Sequence, residues 1–297
     1  MILLEQALGT PSETAQVKVD GCQINYECWG TVGQPGILLV HGSNAHLNWW
    51  RIIAPRLAEH FRVAAIDLSG NGNSGWRKIY SGEVFAEEVM AVCDAANLGD
   101  RPYIAGHSFG GYVTLETGHL NSDKLGGMVL LDFTIRPPQS KDDIAVFHRE
   151  ARSKPARPTR IYPEKEAALA RFRLVPQQTC ENTELLHYVA EQSLREVEGG
   201  WTWKFDPDLF RNLNVEAIQS SDPTAKLMQL KCPCAFIMGE ESLDYSPEAL
   251  LYTKELTKGH IPMFSIAGTF HHLMFDAPVA VITALTSTLL MWETQKP

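Results

Sequence analysis

The 297-residue sequence is short of positive charge: 26 Lys and Arg stand against 35 Asp and Glu, a formal net charge of −9. A surface built to neutralise nucleic-acid phosphates leans the other way, so no nucleic-acid partner is expected. Long apolar runs are also missing. The N-terminal MILLEQALGT has no basic residue ahead of its short apolar stretch and no small-residue cleavage site behind it, unlike a secretory signal. The stretch from Val279 to Trp292 is interrupted by Thr283, Thr286 and Ser287, and falls short of the roughly 20 residues that a spanning helix needs. No membrane partner is expected, and the protein reads as soluble and cytoplasmic. The six cysteines (Cys22, Cys28, Cys93, Cys180, Cys232 and Cys234) are scattered, and Cys232-Pro-Cys234 lacks the two-residue spacer of a redox or zinc pair. They are expected to be reduced and structural. There is no internal repeat and no Walker-type loop, and Gly70-Asn71-Gly72 lacks the Rossmann spacing. No cofactor is implied and no metal site is expected, since His271-His272 does not present two rings to one ion as a helical i, i+4 pair does.

What is present is the composition of a globular chain, 44% hydrophobic and 21% charged, which excludes disorder. Ala15–Asp20 and Gln23–Trp29 alternate around Asp20-Gly21, the pattern of a β-hairpin. The runs Ile37–Val40, Val63–Asp67, Tyr103–Ala105, Met128–Asp132, Ala235–Met238 and Met263–Ile266 are continuously apolar, as in parallel strands buried on both faces. Helical spacing marks Trp49–His60, Gly82–Leu98, Phe109–Leu120 and Pro278–Trp292 between them. The alternation predicts an open, eight-stranded, mostly parallel sheet flanked by helices, an α/β architecture. It breaks over residues 133–230, where proline pairs (Arg136-Pro137-Pro138, Lys154-Pro155, Arg157-Pro158, Tyr162-Pro163) and aromatics (Phe147, Phe172, Trp201, Trp203, Phe205, Phe210) occur without a convincing strand. The division expected is a core of residues 1–132 and 231–297 with a helical cap inserted at 133–230. Such a cap would lie over the C-terminal strand ends, where open α/β sheets place ligands.

Between the strand ending at Ala105 and the helix from Phe109 stands Gly106-His107-Ser108-Phe109-Gly110-Gly111. It matches G-x-S-x-G in a strand–turn–helix context. Flanking glycines let the chain make a sharp, strained turn that lifts the Ser108 hydroxyl above the sheet edge. The amide of Phe109 then points where an oxyanion would form.

The sequence resembles the α/β-hydrolase superfamily, in the branch that holds esterases, lactonases, C–C hydrolases and haloalkane dehalogenases. Three further stretches carry the likeness. Val40-His41-Gly42-Ser43 corresponds to the family's oxyanion loop. Asp67-Leu68-Ser69-Gly70-Asn71-Gly72-Asn73-Ser74 resembles its D-x-x-G-x-G-x-S turn, with Asn71 in place of the commoner histidine. Gly268-Thr269-Phe270-His271-His272 lies where the family carries its histidine. The resemblance implies Ser108 as nucleophile, the amides of Ser43 and Phe109 as oxyanion donors, and a structural role for His41. It implies His271 as base, because Pro278 follows it by seven positions. The acid stays open. The common G-x-x-D slot reads Gly239-Glu240-Glu241-Ser242, with Asp244 two residues late. The alternative location, after the sixth strand, holds Asp132 in a segment similar to that of some dehalogenases. Asp132 is the expected acid, with Asp244 as the competing candidate.

Serine at position 108 departs from the aspartate nucleophile of dehalogenases and points to acyl transfer to water. The expected activity is hydrolysis of a carboxylic ester or lactone of a small, largely apolar molecule, with that molecule and water as the partners. Two alternatives stand beside it: C–C bond hydrolysis of vinylogous diketones by the same triad, and a ligand-binding receptor with little turnover. Arg77 and Lys78 read as a solvated surface pair within reach of an anionic group. A homodimer through the hydrophobic cap is left open.

Overall fold

The computed structural model describes residues 2–137, 159–214, 222–243 and 246–295. Asp244, Phe147, Pro138, Lys154-Pro155 and Arg157-Pro158 lie outside the described residues. Asp20 and Gly21, both at positive φ (44° and 78°), turn the chain from β1 (Glu13–Val19) into β2 (Cys22–Trp29), with Val19 paired to Cys22. The chain continues through β3 (Gly36–Val40), β4 (Arg62–Ile66), β5 (Tyr103–His107) and β6 (Gly127–Leu131). In space the eight-stranded sheet runs β1-β2-β4-β3-β5-β6 and is completed by the strands Cys234–Gly239 and Met263–Ile266. The pairs β1–β2 and β2–β4 are antiparallel and the other neighbours are parallel.

Every residue of β3, β4, β5 and β6 is buried, which explains why these strands read as unbroken apolar runs. Alternate residues still serve opposite faces. Leu38, Val40, Ala64 and Ile66 join one core, whereas Ile37, Leu39, Val63 and Ala65 join the other. The helix Gly82–Ala95 is capped by Ser81, whose side chain accepts the Val84 N–H, and buries Phe85, Val89 and Val92.

The single helix expected over 49–60 is instead a 3-10 turn, Leu47–Trp50, followed by a four-residue helix, Ala54–Leu57. Pro55 sits in the first turn of the second, where its missing N–H is tolerated; inside one longer helix it would remove a bond. A second difference lies between residues 133 and 230, which hold none of the eight sheet strands. Beside the helices Lys165–Leu169, Thr183–Gln192 and Pro223–Met228 there is a separate antiparallel hairpin, β7 (Leu194–Val197) with β8 (Gly200–Trp203). A two-residue loop with Gly199 at φ 86° closes it.

This inserted region is tied to the loops after β3 and β4. His46 Nε2 lies 2.9 Å from Ser193 Oγ, and the Tyr188 hydroxyl donates to Asn48 Oδ1 (2.9 Å). Tyr80 donates to Asp206 (2.7 Å), the Asp206 N–H donates to the Gly70 carbonyl (2.7 Å), and isolated bridges join Asn71 to Phe205 and Tyr80 to Leu213. The sheet resumes with β9 (Cys234–Gly239) and β10 (Met263–Ile266), and the helix Pro278–Thr294 covers one face. Among the described residues no helix is long and apolar enough to cross a membrane.

Candidate active site

Ser108 occupies φ 55°, ψ −118°, a backbone region that L-residues rarely adopt and that costs about 1–3 kcal/mol. Crowding on both flanks fixes it there. A Cβ on Gly106 would come within 2.1 Å of the Gly110 carbonyl, and one on Gly110 within 2.4 Å of the Val40 carbonyl. Only glycines let β3, β5 and the following helix approach this closely. The Ser108 N–H donates to the Leu131 carbonyl (2.9 Å), which secures the turn to β6. Phe109 opens the helix Phe109–Asn121, so its N–H has no intrahelical acceptor. Its ring packs against Phe85, Tyr112 and Phe210.

Ser108, His271 and Asp132 form one hydrogen-bonded chain. His271 Nε2 lies 2.9 Å from Ser108 Oγ, and its Nδ1 lies 2.5 Å from Asp132 Oδ2. A neutral ring that donates Nδ1–H to the carboxylate presents the Nε2 lone pair to the serine hydroxyl. His271 and Asp132 are both buried. Asp132 caps β6 at φ 45° and its N–H donates to the Ile237 carbonyl of β9 (2.8 Å). The carboxylate also accepts the Gly239 N–H on Oδ1 (2.9 Å) and the Ser242 hydroxyl on Oδ2 (2.5 Å). Ser242 thus stands in the slot the resemblance reserves for an acid, and donates to Asp132 at the end of the neighbouring strand. His107 bonds through Nε2 to the His271 carbonyl (2.8 Å) and so braces that loop. Gln178 of the inserted region accepts the His272 N–H (2.8 Å) and donates to Asp276, which in turn accepts the Phe270 N–H (2.8 Å). The sequence carried no pattern pointing to either His107 or Gln178.

Ser43 is exposed on the loop after β3. Its neighbour Gly42 lies against the turn at Ser108: a Cβ there would be 3.4 Å from the Ser108 Cβ. His41 supports this loop, with Nδ1–H directed to the Gly42 carbonyl (2.7 Å) while Nε2 accepts the Leu68 N–H (3.1 Å). Burial pulls its pKa down to about 4, so the ring is neutral at pH 7. Asp67 joins the two loops, accepting N–H groups from Leu47 (2.7 Å) and Asn73 (2.8 Å). Its pKa is raised by burial against these hydrogen bonds.

Arg77 is not a solvated surface residue. Its Nε lies 2.8 Å from the fully buried Glu88 carboxylate and 3.2 Å from Ser69 Oγ, and its two terminal nitrogens donate to the carbonyls of Val19 and Asp20. Lys78 is exposed. Of the aromatics, Trp50 is wholly core, Trp49 packs edge-on against His272 (5.2 Å) and Phe275, and Trp203 packs with Phe205, Phe172 and Tyr162 inside the inserted region.

His107, His271 and His272 bring ring nitrogens within 4.8 Å of one another. Both nitrogens of His271 are engaged by Asp132 and Ser108, and His107 Nε2 by a carbonyl, so the group fits a hydrogen-bonded relay better than a cation site. Burial, then the neighbouring His271, lowers the His272 pKa to about 3; burial likewise holds His107 well below its ordinary value.

A family model described as "Alpha/beta hydrolase family" matches residues 37–284. Among curated proteins, lipase LipV of Mycobacterium tuberculosis is 33% identical over 110 residues, which cover 37% of this chain and 41% of that protein. Esterase Rv0045c of the same organism is 27% identical over 189 residues, 60% of this chain and 58% of that protein. A 2-hydroxy-6-oxo-6-(2'-aminophenyl)hexa-2,4-dienoic acid hydrolase of Metapseudomonas resinovorans is 32% identical over 103 residues, 33% of this chain and 35% of that protein. The chain therefore spans less than two thirds of each of these relatives. Two solved structures share the fold: a thioesterase domain from the curacin biosynthetic pathway (TM-score 0.74, 23% identity, covering 95% of this chain and 100% of that one) and the M. tuberculosis esterase Rv0045c (TM-score 0.73, 21% identity, 97% and 96%).

Proposed function

Because the chain belongs to the alpha/beta hydrolase family, we propose that it is a serine hydrolase cleaving a carboxylic ester or lactone of a small, largely apolar molecule. The observation that carries this reading is the unbroken chain from Ser108 Oγ through His271 to Asp132, at 2.9 and 2.5 Å. His271 Nε2 takes the hydroxyl proton as Ser108 Oγ bonds to the substrate carbonyl carbon. Asp132 stabilises the imidazolium that forms. The Ser43 and Phe109 amides receive the oxyanion, each such donor being worth about 10²–10³ in turnover. Collapse of the tetrahedral species breaks the C–O bond, and the imidazolium returns its proton to the leaving alkoxide. Water, activated by the same histidine, then cleaves the acyl-enzyme. Residues 133–230 act in this reading as a cap, since Ser193, Asp206 and Gln178 among the described ones are bonded to the loops after β3, β4 and β10.

One observation favours a second reading, C–C bond hydrolysis: the dienoic acid hydrolase among the relatives. That chemistry calls for a cation facing a substrate carboxylate, and Arg77 is committed to Glu88. The test is hydrolysis of p-nitrophenyl esters from acetate to octanoate by wild type and Ser108→Ala. Wild-type turnover at least about 10³-fold above the variant is expected, with the preferred chain length sizing the pocket. Equal turnover in the two proteins would overturn the reading.

A further inference from the structure

We propose that Ser242 is a positioning residue that shares Asp132 Oδ2 with His271 and thereby sets both the orientation and the acceptor strength of the acid. The inference rests on the serine-hydrolase reading for its kinetic consequence, and on geometry alone for its site. The Asp132 carboxylate is buried and its charge meets three donors: Gly239 N–H on Oδ1, and the Ser242 hydroxyl and His271 Nδ1–H together on Oδ2. Neither Lys nor Arg pairs with it among the described residues. In such a site the neutral donors decide how the carboxylate sits and how strongly it accepts.

The turn Gly239–Ser242 is built for this task. The Ser242 N–H returns to the Gly239 carbonyl (3.1 Å), and the Glu241 N–H donates to the Thr269 carbonyl (2.8 Å) on the loop that carries His271. A Cβ on Gly239 would come within 2.3 Å of the Phe270 carbonyl, so glycine there lets the acid-holding turn and the histidine loop touch. One turn therefore fixes Asp132 from one side and braces the His271 loop from the other. The sequence position that many relatives by resemblance use for the acid itself is occupied by a donor to an acid housed one strand away.

The consequence is specific. A hydroxyl on Oδ2 draws electron density from the oxygen that receives Nδ1–H. Without it the oxygen accepts more strongly, the imidazolium is favoured, and the carboxylate is freer to rotate. In Ser242→Ala, the His271 ring is expected to titrate about half a pH unit higher than in wild type. Turnover should fall about tenfold through kcat with KM unchanged. Ser242→Thr keeps the hydroxyl and is expected to restore both.

The experiment is an NMR titration of ¹³C,¹⁵N-histidine-labelled wild type, Ser242→Ala and Ser242→Thr, with His271→Gln identifying the signals. Ester kinetics and melting curves are recorded on the same samples. An upward shift in the alanine variant, reversed in the threonine variant, supports the role. A folded Ser242→Ala whose His271 titration coincides with wild type overturns it, whatever the turnover. The titration needs no substrate, so it stands apart from the serine-hydrolase reading, which fails only if Ser108→Ala retains full ester hydrolysis.

Discussion

Replacing Asp132 by Asn tests the relay at the point where charge and hydrogen-bond direction can be separated. Position 132 holds φ 45°, a conformation that Asn tolerates well among L-residues, so the backbone accepts the change. The Gly239 N–H at 2.9 Å requires an acceptor, which fixes the amide oxygen on that side and turns the NH2 group toward His271 and Ser242. The Ser242 hydroxyl can rotate to accept. His271 must answer with a bare Nδ1, which moves its proton to Nε2, facing Ser108. A ring in that tautomer has no lone pair for the serine proton. Turnover is expected to fall about 10⁴-fold, equivalent to roughly 5 kcal/mol of transition-state stabilisation. Stability should not fall with it, because all polar partners remain satisfied and a buried charge is removed; Tm is expected to stay within about 4 °C of wild type. The assay is ester turnover beside a thermal melt, with Asp244→Asn as the companion variant, expected to turn over like wild type. Near-normal activity in Asp132→Asn, or its loss only in Asp244→Asn, would rule out Asp132 as the partner of His271.

The buried Arg77–Glu88 pair makes a different forecast. Arg77→Ala leaves the Glu88 carboxylate buried without its cation, which costs about 3–5 kcal/mol. A melt should show the loss, while kcat and KM on the folded protein stay unchanged; a selective rise in KM for anionic esters would instead return Arg77 to the substrate site. The buried histidines govern acid stability. The folded-state pKa values of His41 (about 4), His46 (about 3) and His272 (about 3) lie below the roughly 6.5 of an unfolded chain. The unfolded state therefore binds more protons across this interval, so the stability these rings carry is present above pH ~6.5 and lost as pH falls toward their folded values, at up to about 1.4 kcal/mol per pH unit for each ring. Asp67 and Glu88, raised by burial, work in the opposite sense and soften the decline. Tm should drop between pH 6.5 and 4.5, and a flat profile would contradict the assignment of neutral buried rings.

The sheet was legible because strands buried on both faces leave no polar positions to confuse the pattern: every residue of β3 (Gly36–Val40) and β6 (Gly127–Leu131) is buried, and each matches an apolar run to within one residue at either end. The turn at Ser108 was legible because strain demands glycine at fixed offsets. The contact of Asp132 with His271 was not, since 139 residues separate the two and only the pairing of β6 beside β9 brings Asp132, Gly239 and Ser242 together. The hairpin β7–β8 escaped notice because its burial is mixed, with Arg195 and Glu196 exposed, and four-residue strands carry little periodicity. Arg77 read as a surface residue because its partner Glu88 lies on a helix eleven positions on, and nothing local marks a pair that burial creates.

The most direct measurement is intact-mass and peptide mapping after treatment with a fluorophosphonate, a reagent that phosphonylates an activated serine. One adduct per chain of wild type is expected, mapped to the peptide containing Ser108, and none in Ser108→Ala. An unlabelled wild type, or equal labelling in the Ser108→Ala variant, would contradict the claim that Ser108 is the nucleophile.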